Sequence, residues 1–158
     1  MKRFLKTVVF TGLIAGTADL TAAYVDQLIK TGKFADKMLY YIAGGGLGLE
    51  TSMKGGFWIG FLGLFFHYFI AFAFTLFFFI IYPRLQFQKV NKFLLALLYG
   101  PFVGLFMKFI VLPLTRLPRS PLVLQKAWIG WLILSVAIGL PAAISAHRYY
   151  KKHNNIES

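Results

Sequence analysis

The chain has 158 residues, of which 58% are hydrophobic and 14% charged, with a formal net charge of +12 and a mean hydropathy of +0.68. A soluble domain carries about 25% charged residues, so this composition excludes an ordinary water-soluble globule. The basic residues lie almost entirely between the apolar runs and at the termini. There they act as topology determinants and meet anionic lipid headgroups, leaving no soluble basic face for nucleic acid.

There are 18 Phe, 8 Tyr and 3 Trp, and no Cys. Phe suits the hydrocarbon, Tyr and Trp the interfaces. The lack of Cys excludes disulfides, thiolate metal sites, Cys nucleophiles and a lipoprotein-type anchor. The length allows one domain, residues 1–158.

The first apolar run covers about residues 8–29 and follows Lys2, Arg3 and Lys6. That start also fits a signal peptide with small residues at Thr21 to Ala23. Asp19 interrupts the run just before that site and the apolar character continues to Ile29, so a retained span is expected. Residues 34–50 follow as an interfacial or re-entrant segment. Ala35 to Ile42 is expected as a short amphipathic helix, with Met38, Leu39, Tyr41 and Ile42 on its apolar face and Lys33, Asp36 and Lys37 on the wet side. The run from Gly44 to Gly48 is too short and flexible to span. It suits close backbone approach or a re-entrant bend buried in protein.

Three more runs follow, at about 57–82, 93–114 and 127–146, with Pro83 and Pro113 as stops and Pro141 as a kink. Each is close to or above the ~20 residues that cross a ~30 Å hydrocarbon core. They are too long and continuous for barrel strands. The expected fold class is therefore all-α: an integral membrane four-helix bundle with a short interfacial helix or re-entrant segment between the first and second spans.

Lys and Arg counts give the orientation. Lys2, Arg3, Lys6, Arg84, Lys89, Lys92, Arg148, Lys151 and Lys152 fall on one side; Lys30, Lys33, Lys37, Lys54, Arg116, Arg119 and Lys126 on the other. The bias is weak and favours both termini in the cytoplasm.

Three spans carry an ionisable residue: Asp19, His67 and Lys108. A charge in hydrocarbon costs at least ~2.5–3.5 kcal/mol on insertion scales, so such residues face a bundle interior or a water-filled cavity. Glycines recur on the same faces: Gly12 and Gly16 with Asp19 and Asp26, Gly60 and Gly63 with His67, and Gly100 and Gly104 with Lys108. Small residues mark close helix approach in lipid, so the three faces are expected to turn toward one shared interior. At 1.5 Å per residue, Asp19 lies about 17 Å from one boundary and His67 about 15 Å from the other, with Lys108 and Asp26 about 22 and 27 Å up. Two tiers follow, Asp19 with His67 at the middle and Asp26 with Lys108 above.

No enzyme motif is present: no nucleophile elbow, phosphate loop or His-Glu-x-x-His pattern. No catalytic residue, metal site or cofactor is expected. His67 alone makes a poor metal site, and His147 and His153 in the basic tail offer no ligand spacing. Ser135 and Ser145 suit hydrogen bonds to backbone, with no base placed to activate either.

Several segments are familiar in this order: Gly12-Leu-Ile-Ala-Gly-Thr-Ala-Asp19, Tyr41-Ile-Ala-Gly-Gly, Gly55-Gly56, His67-Tyr-Phe-Ile-Ala-Phe72, Leu98-Tyr-Gly100, Val111-Leu-Pro-Leu114 and Gly139-Leu-Pro141. Together they resemble a group of small bacterial inner-membrane proteins with four predicted helices. There is a looser similarity to the YagU-type inner-membrane proteins. The resemblance implies a bacterial inner-membrane location and makes the Asp19 and His67 regions part of the group's pattern. It implies no activity, substrate or cofactor. The group often carries a further His in the last span, before the Gly-Leu-Pro; this chain has none there.

The expected function is that of a small integral membrane protein that is not an enzyme. Its polar seam of Asp19, Asp26, His67 and Lys108 serves structure and assembly, in a homo-oligomer or a larger membrane complex with lipid around it. The alternative is a minimal proton- or ion-coupled transporter or channel using Asp19, His67 and Lys108, imidazole being the side chain that ordinarily titrates near neutral pH.

Overall fold

A computed structural model of the chain describes residues 2–118 and 124–154. Apolar runs of this length satisfy their backbone polar groups only as helices, and four helices are long and apolar enough to cross a membrane: Lys2–Thr31, Phe57–Arg84, Lys92–Leu114 and Ala127–Lys152. They outrun the expected boundaries at several ends because hydropathy marks the hydrocarbon, whereas hydrogen bonding carries the helix on into the interface. In chain order the elements are α1 (Lys2–Thr31), α2 (Met38–Leu47), α3 (Leu49–Met53), α4 (Phe57–Arg84), α5 (Lys92–Phe106), α6 (Leu124–Leu134) and α7 (Leu140–Asn154). The third span is α5 with its continuation to Leu114. The fourth joins α6 to α7 through Ser135–Gly139. Arg119, one of the basic residues counted in the third loop, lies outside the described residues.

The two termini meet at one end of the bundle, where Phe4 packs edge-on against Tyr149 at 5.7 Å. The core sits toward this end. Phe78, Phe79 and Tyr82 of α4, Tyr99 of α5 and Ala142, Ala143 and Ala146 of α7 are buried in one cluster. Lipid is as apolar as these side chains, so close packing and interhelical hydrogen bonds hold such a bundle together rather than burial from water.

The prolines explain much of that bonding. A proline inside a helix has no N–H and leaves the carbonyl four residues earlier without its partner. Pro83 frees the Phe79 carbonyl, which accepts from the Tyr150 hydroxyl at 2.8 Å. Pro101 frees the Leu97 carbonyl, which accepts from Ser135 Oγ at 3.1 Å, a hydroxyl also 2.8 Å from the Trp131 carbonyl. Both donors stand on the fourth span. Pro113 and Pro141 are handled differently. Each follows a widened turn, Met107–Val111 and Ser135–Gly139, in which Leu112 N–H reaches back to Met107 O and Leu140 N–H to Ser135 O. A turn with one extra residue relieves the clash of a proline ring with the preceding turn.

The segment between the first two spans departs from expectation. The helix is Met38–Leu47 rather than Ala35–Ile42, and it runs through Gly44, Gly45 and Gly46. Glycine costs a helix about 0.8–1 kcal/mol per residue relative to alanine. Packing offsets that cost here. A Cβ on Gly44 would lie 2.9 Å from Leu49 and Ser52, and one on Gly46 would lie 2.9 Å from Phe66. The run therefore permits close approach rather than acting as a flexible bend. The turn comes at Gly48, whose φ of 87° suits a residue without a Cβ. Arg116 N–H then bonds to the Gly45 carbonyl at 3.0 Å, tying the end of the third span onto α2.

Candidate functional site

The glycines do not turn to one interior, which corrects that expectation. Gly12 and Gly16 face Phe72 and Tyr68 of α4, while Gly63 lies under the Leu39 backbone of α2. Gly60 faces Tyr40 at an ordinary 3.6 Å. Gly100 meets the backbone of Trp131 and Ser135 on the fourth span, and Gly104 meets the Trp131 ring. They mark three separate pairwise contacts because a small residue serves only the helix opposite it. Gly139, absent from the expected packing set, lies against the Ala96 carbonyl. Its signal was present in the stripe Ser135, Gly139, Ala142 and Ala146 at three- and four-residue spacing.

The ionisable residues do converge. Asp19, His67 and Lys108 line one cavity of about 550 Å³, bounded by all four spans and by Met38 and Ile42 of α2. The widened turn Met107–Val111 carries Lys108, and α5 supplies Gly104 to the same wall. Most other lining residues are apolar, with Trp131 among them. His67 Nε2 lies 2.8 Å from the Gly16 carbonyl. A carbonyl only accepts, so Nε2 carries the proton and donates. One position away on each helix, the Thr17 and Tyr68 hydroxyls lie 2.7 Å apart. Asp19 is the electrostatic neighbour of His67 across this contact. All three ionisable residues are half-buried and line the cavity.

Asp26 has a different place. Its carboxylate holds Lys30 one turn further along α1 at 2.6 Å, outside the cavity that Lys108 lines. The expected pairing of Asp26 with Lys108 is replaced by this helix-surface ion pair. The short i,i+4 reach favours it over a crossing between helices. His147, read as part of the basic tail, stands on α7, and its Nδ1 lies 3.0 Å from the Tyr82 hydroxyl.

The cavity is one-sided. Its lining includes Ala23 near the end of α1, Leu112 near the end of the third span and Ala127 at the start of the fourth, all in the half away from the termini. In the other half, Phe78, Phe79 and Tyr82 are 1%, 0% and 0% exposed and fill the space between the spans. Among the described residues no three His, Cys, Asp or Glu side chains gather closely enough to hold a metal ion. The volume falls within the ~300–1,000 Å³ of small-molecule sites, which are also mostly apolar with a few placed polar groups.

Fold and site together define a multi-pass helical membrane protein with a cavity among its spans. In comparisons with known proteins the chain matches no family model, no curated protein and no solved structure.

Proposed function

We propose that this chain is a minimal carrier of the bacterial cytoplasmic membrane, with both termini cytoplasmic, in which Asp19, His67 and Lys108 receive a small solute within the bundle. The observation that supports it is their convergence from three helices on a half-enclosed cavity. Polar residues kept only to fix helix register would be expected in a tightly packed seam, with no room for a ligand. A cavity open in one half and closed by an aromatic core in the other suits a carrier exposed to one side at a time better than an open channel.

A second reading has its own observation. The His67–Gly16 and Thr17–Tyr68 hydrogen bonds join the first span to the second, as polar packing in an assembly subunit would.

Flux separates the two. Purified protein in liposomes is assayed for proton, sodium and potassium entry beside Asp19→Asn and His67→Ala, with unfolding of each variant followed in parallel. Flux that is lost in both variants while they remain folded supports the carrier. No ion flux and no solute-dependent stabilisation of the wild type, with both variants merely less stable, supports the packing role.

A further inference from the structure

A second hollow, of about 310 Å³, lies between the second and third spans and is lined only by apolar residues. Ile70 and Phe74 line both this hollow and the polar cavity, so a single layer of side chains separates the two. Its outer walls include Phe69, Phe77 and Phe102, which are 63%, 41% and 38% exposed. These residues lie within the apolar spans, so the face they occupy meets hydrocarbon. The rings pair across it, Phe77 stacked on Phe102 at 5.6 Å and Phe74 edge-on to Phe106 at 5.5 Å. The hollow thus lies on the lipid-facing side of the polar cavity, with Ile70 and Phe74 between the two.

Resting on the reading of the cavity as a binding site, we infer that its ligand is a single-chain amphiphile taken sideways from the membrane. The alkyl chain occupies the phenylalanine hollow. The head carries hydroxyl groups and passes Ile70 and Phe74 into the polar cavity. The chemistry of the walls favours this class over a bare ion. An inorganic cation needs several oxygen or nitrogen ligands to replace its water, whereas the cavity is mostly apolar. Asp19 offers carboxyl oxygens as acceptors, which suit a donor on the ligand. His67 has committed Nε2 to Gly16 and has Nδ1 left to engage the head. An apolar antechamber gives nothing to a hydrated ion, but it solvates an alkyl chain as lipid does.

The test uses the full chain in lipid nanodiscs with a monoacylglycerol carrying a diazirine on its alkyl chain, and adducts mapped by mass spectrometry. Adducts are expected within residues 69–77 and 102–111. Two variants each lower labelling about tenfold, equivalent to about 1.4 kcal/mol. Ala73→Trp fills the hollow from its exposed, lipid-facing side. Asp19→Asn leaves the hollow open and alters only the head site. Leu13→Trp, on the exposed face of α1, leaves labelling unchanged and controls for a lipid-facing tryptophan. Labelling that survives Asp19→Asn identifies the hollow as a seat for annular lipid and overturns the inference. Labelling that survives Ala73→Trp overturns the route. Flux in the same preparations separates this from the carrier reading. If ion flux depends on Asp19 while no amphiphile is captured, the ligand class is wrong and the carrier stands. If neither flux nor labelling responds to Asp19→Asn, both fall.

Discussion

The Tyr150 hydroxyl offers the sharpest quantitative check on how this bundle is held together. It donates to the Phe79 carbonyl at 2.8 Å, and that carbonyl lacks its helical partner because residue 83 is proline. Phe79 is fully buried, so water is a poor substitute. Tyr150→Phe removes one oxygen and keeps the ring, which stacks on Tyr82 at 5.3 Å. A buried acceptor left unsatisfied costs about 1–3 kcal/mol, while hydrogen bonds measured inside membrane bundles average about 0.6 and reach about 1.7. The expected loss is therefore about 1–1.5 kcal/mol. In a Pro83→Ala background the restored N–H at residue 83 donates to Phe79, and the same substitution should cost only a few tenths. The coupling, about 1 kcal/mol, is read from a double-mutant cycle. The assay is equilibrium unfolding of the four proteins in mixed micelles on titration with a denaturing detergent, followed by tryptophan fluorescence. Equal costs for Tyr150→Phe in both backgrounds would refute the assignment of the hydroxyl to a proline-freed carbonyl.

Ser135→Ala should behave similarly against Pro101→Ala, with a smaller loss of about 0.5–1 kcal/mol because the hydroxyl proton is shared between Leu97 and Trp131; the same unfolding titration reads it. Gly100→Ala places a methyl into the backbone of the fourth span and should cost about 1–3 kcal/mol as overpacking does, whereas Gly60→Ala, with nothing nearer than 3.6 Å, should stay within about 0.5 kcal/mol. Comparable losses for the two glycines would contradict the contacts described. Lys30→Ala removes an ion pair whose side chains are 54% and 29% exposed. It should leave stability within about 0.5 kcal/mol, and a loss above 2 kcal/mol would return Asp26 to the polar interior.

Much of this could be read along the chain. Hydropathy placed four spans, since an uninterrupted apolar run of twenty residues has few other stable homes. The same logic singled out Asp19, His67 and Lys108, because a charge within such a run needs a polar surrounding. The segment at 38–47 was legible only as amphipathic. Its continuation through three glycines was not, because helix propensity argues against it and only the pressure of Phe66, Leu49 and Ser52 in space makes small residues an advantage. Ser135 was visible as a donor to backbone, but its acceptor was not.

What the sequence determined by itself is therefore local and solvent-driven: which segments leave water and which positions cannot face lipid. What only the tertiary structure decided is partnership. A glycine stripe states that something approaches closely and is silent on what, so Gly12, Gly63 and Gly100 serve three different neighbours. A carboxylate chooses between a lysine one turn away and another across the bundle by geometry alone, and Asp26 took the nearer. The cavity holding Asp19, His67 and Lys108 exists because helix crossing leaves space there and fills the other half with phenylalanine and tyrosine. Periodicity along one strand of sequence carries no record of that volume, which belongs to the space between helices.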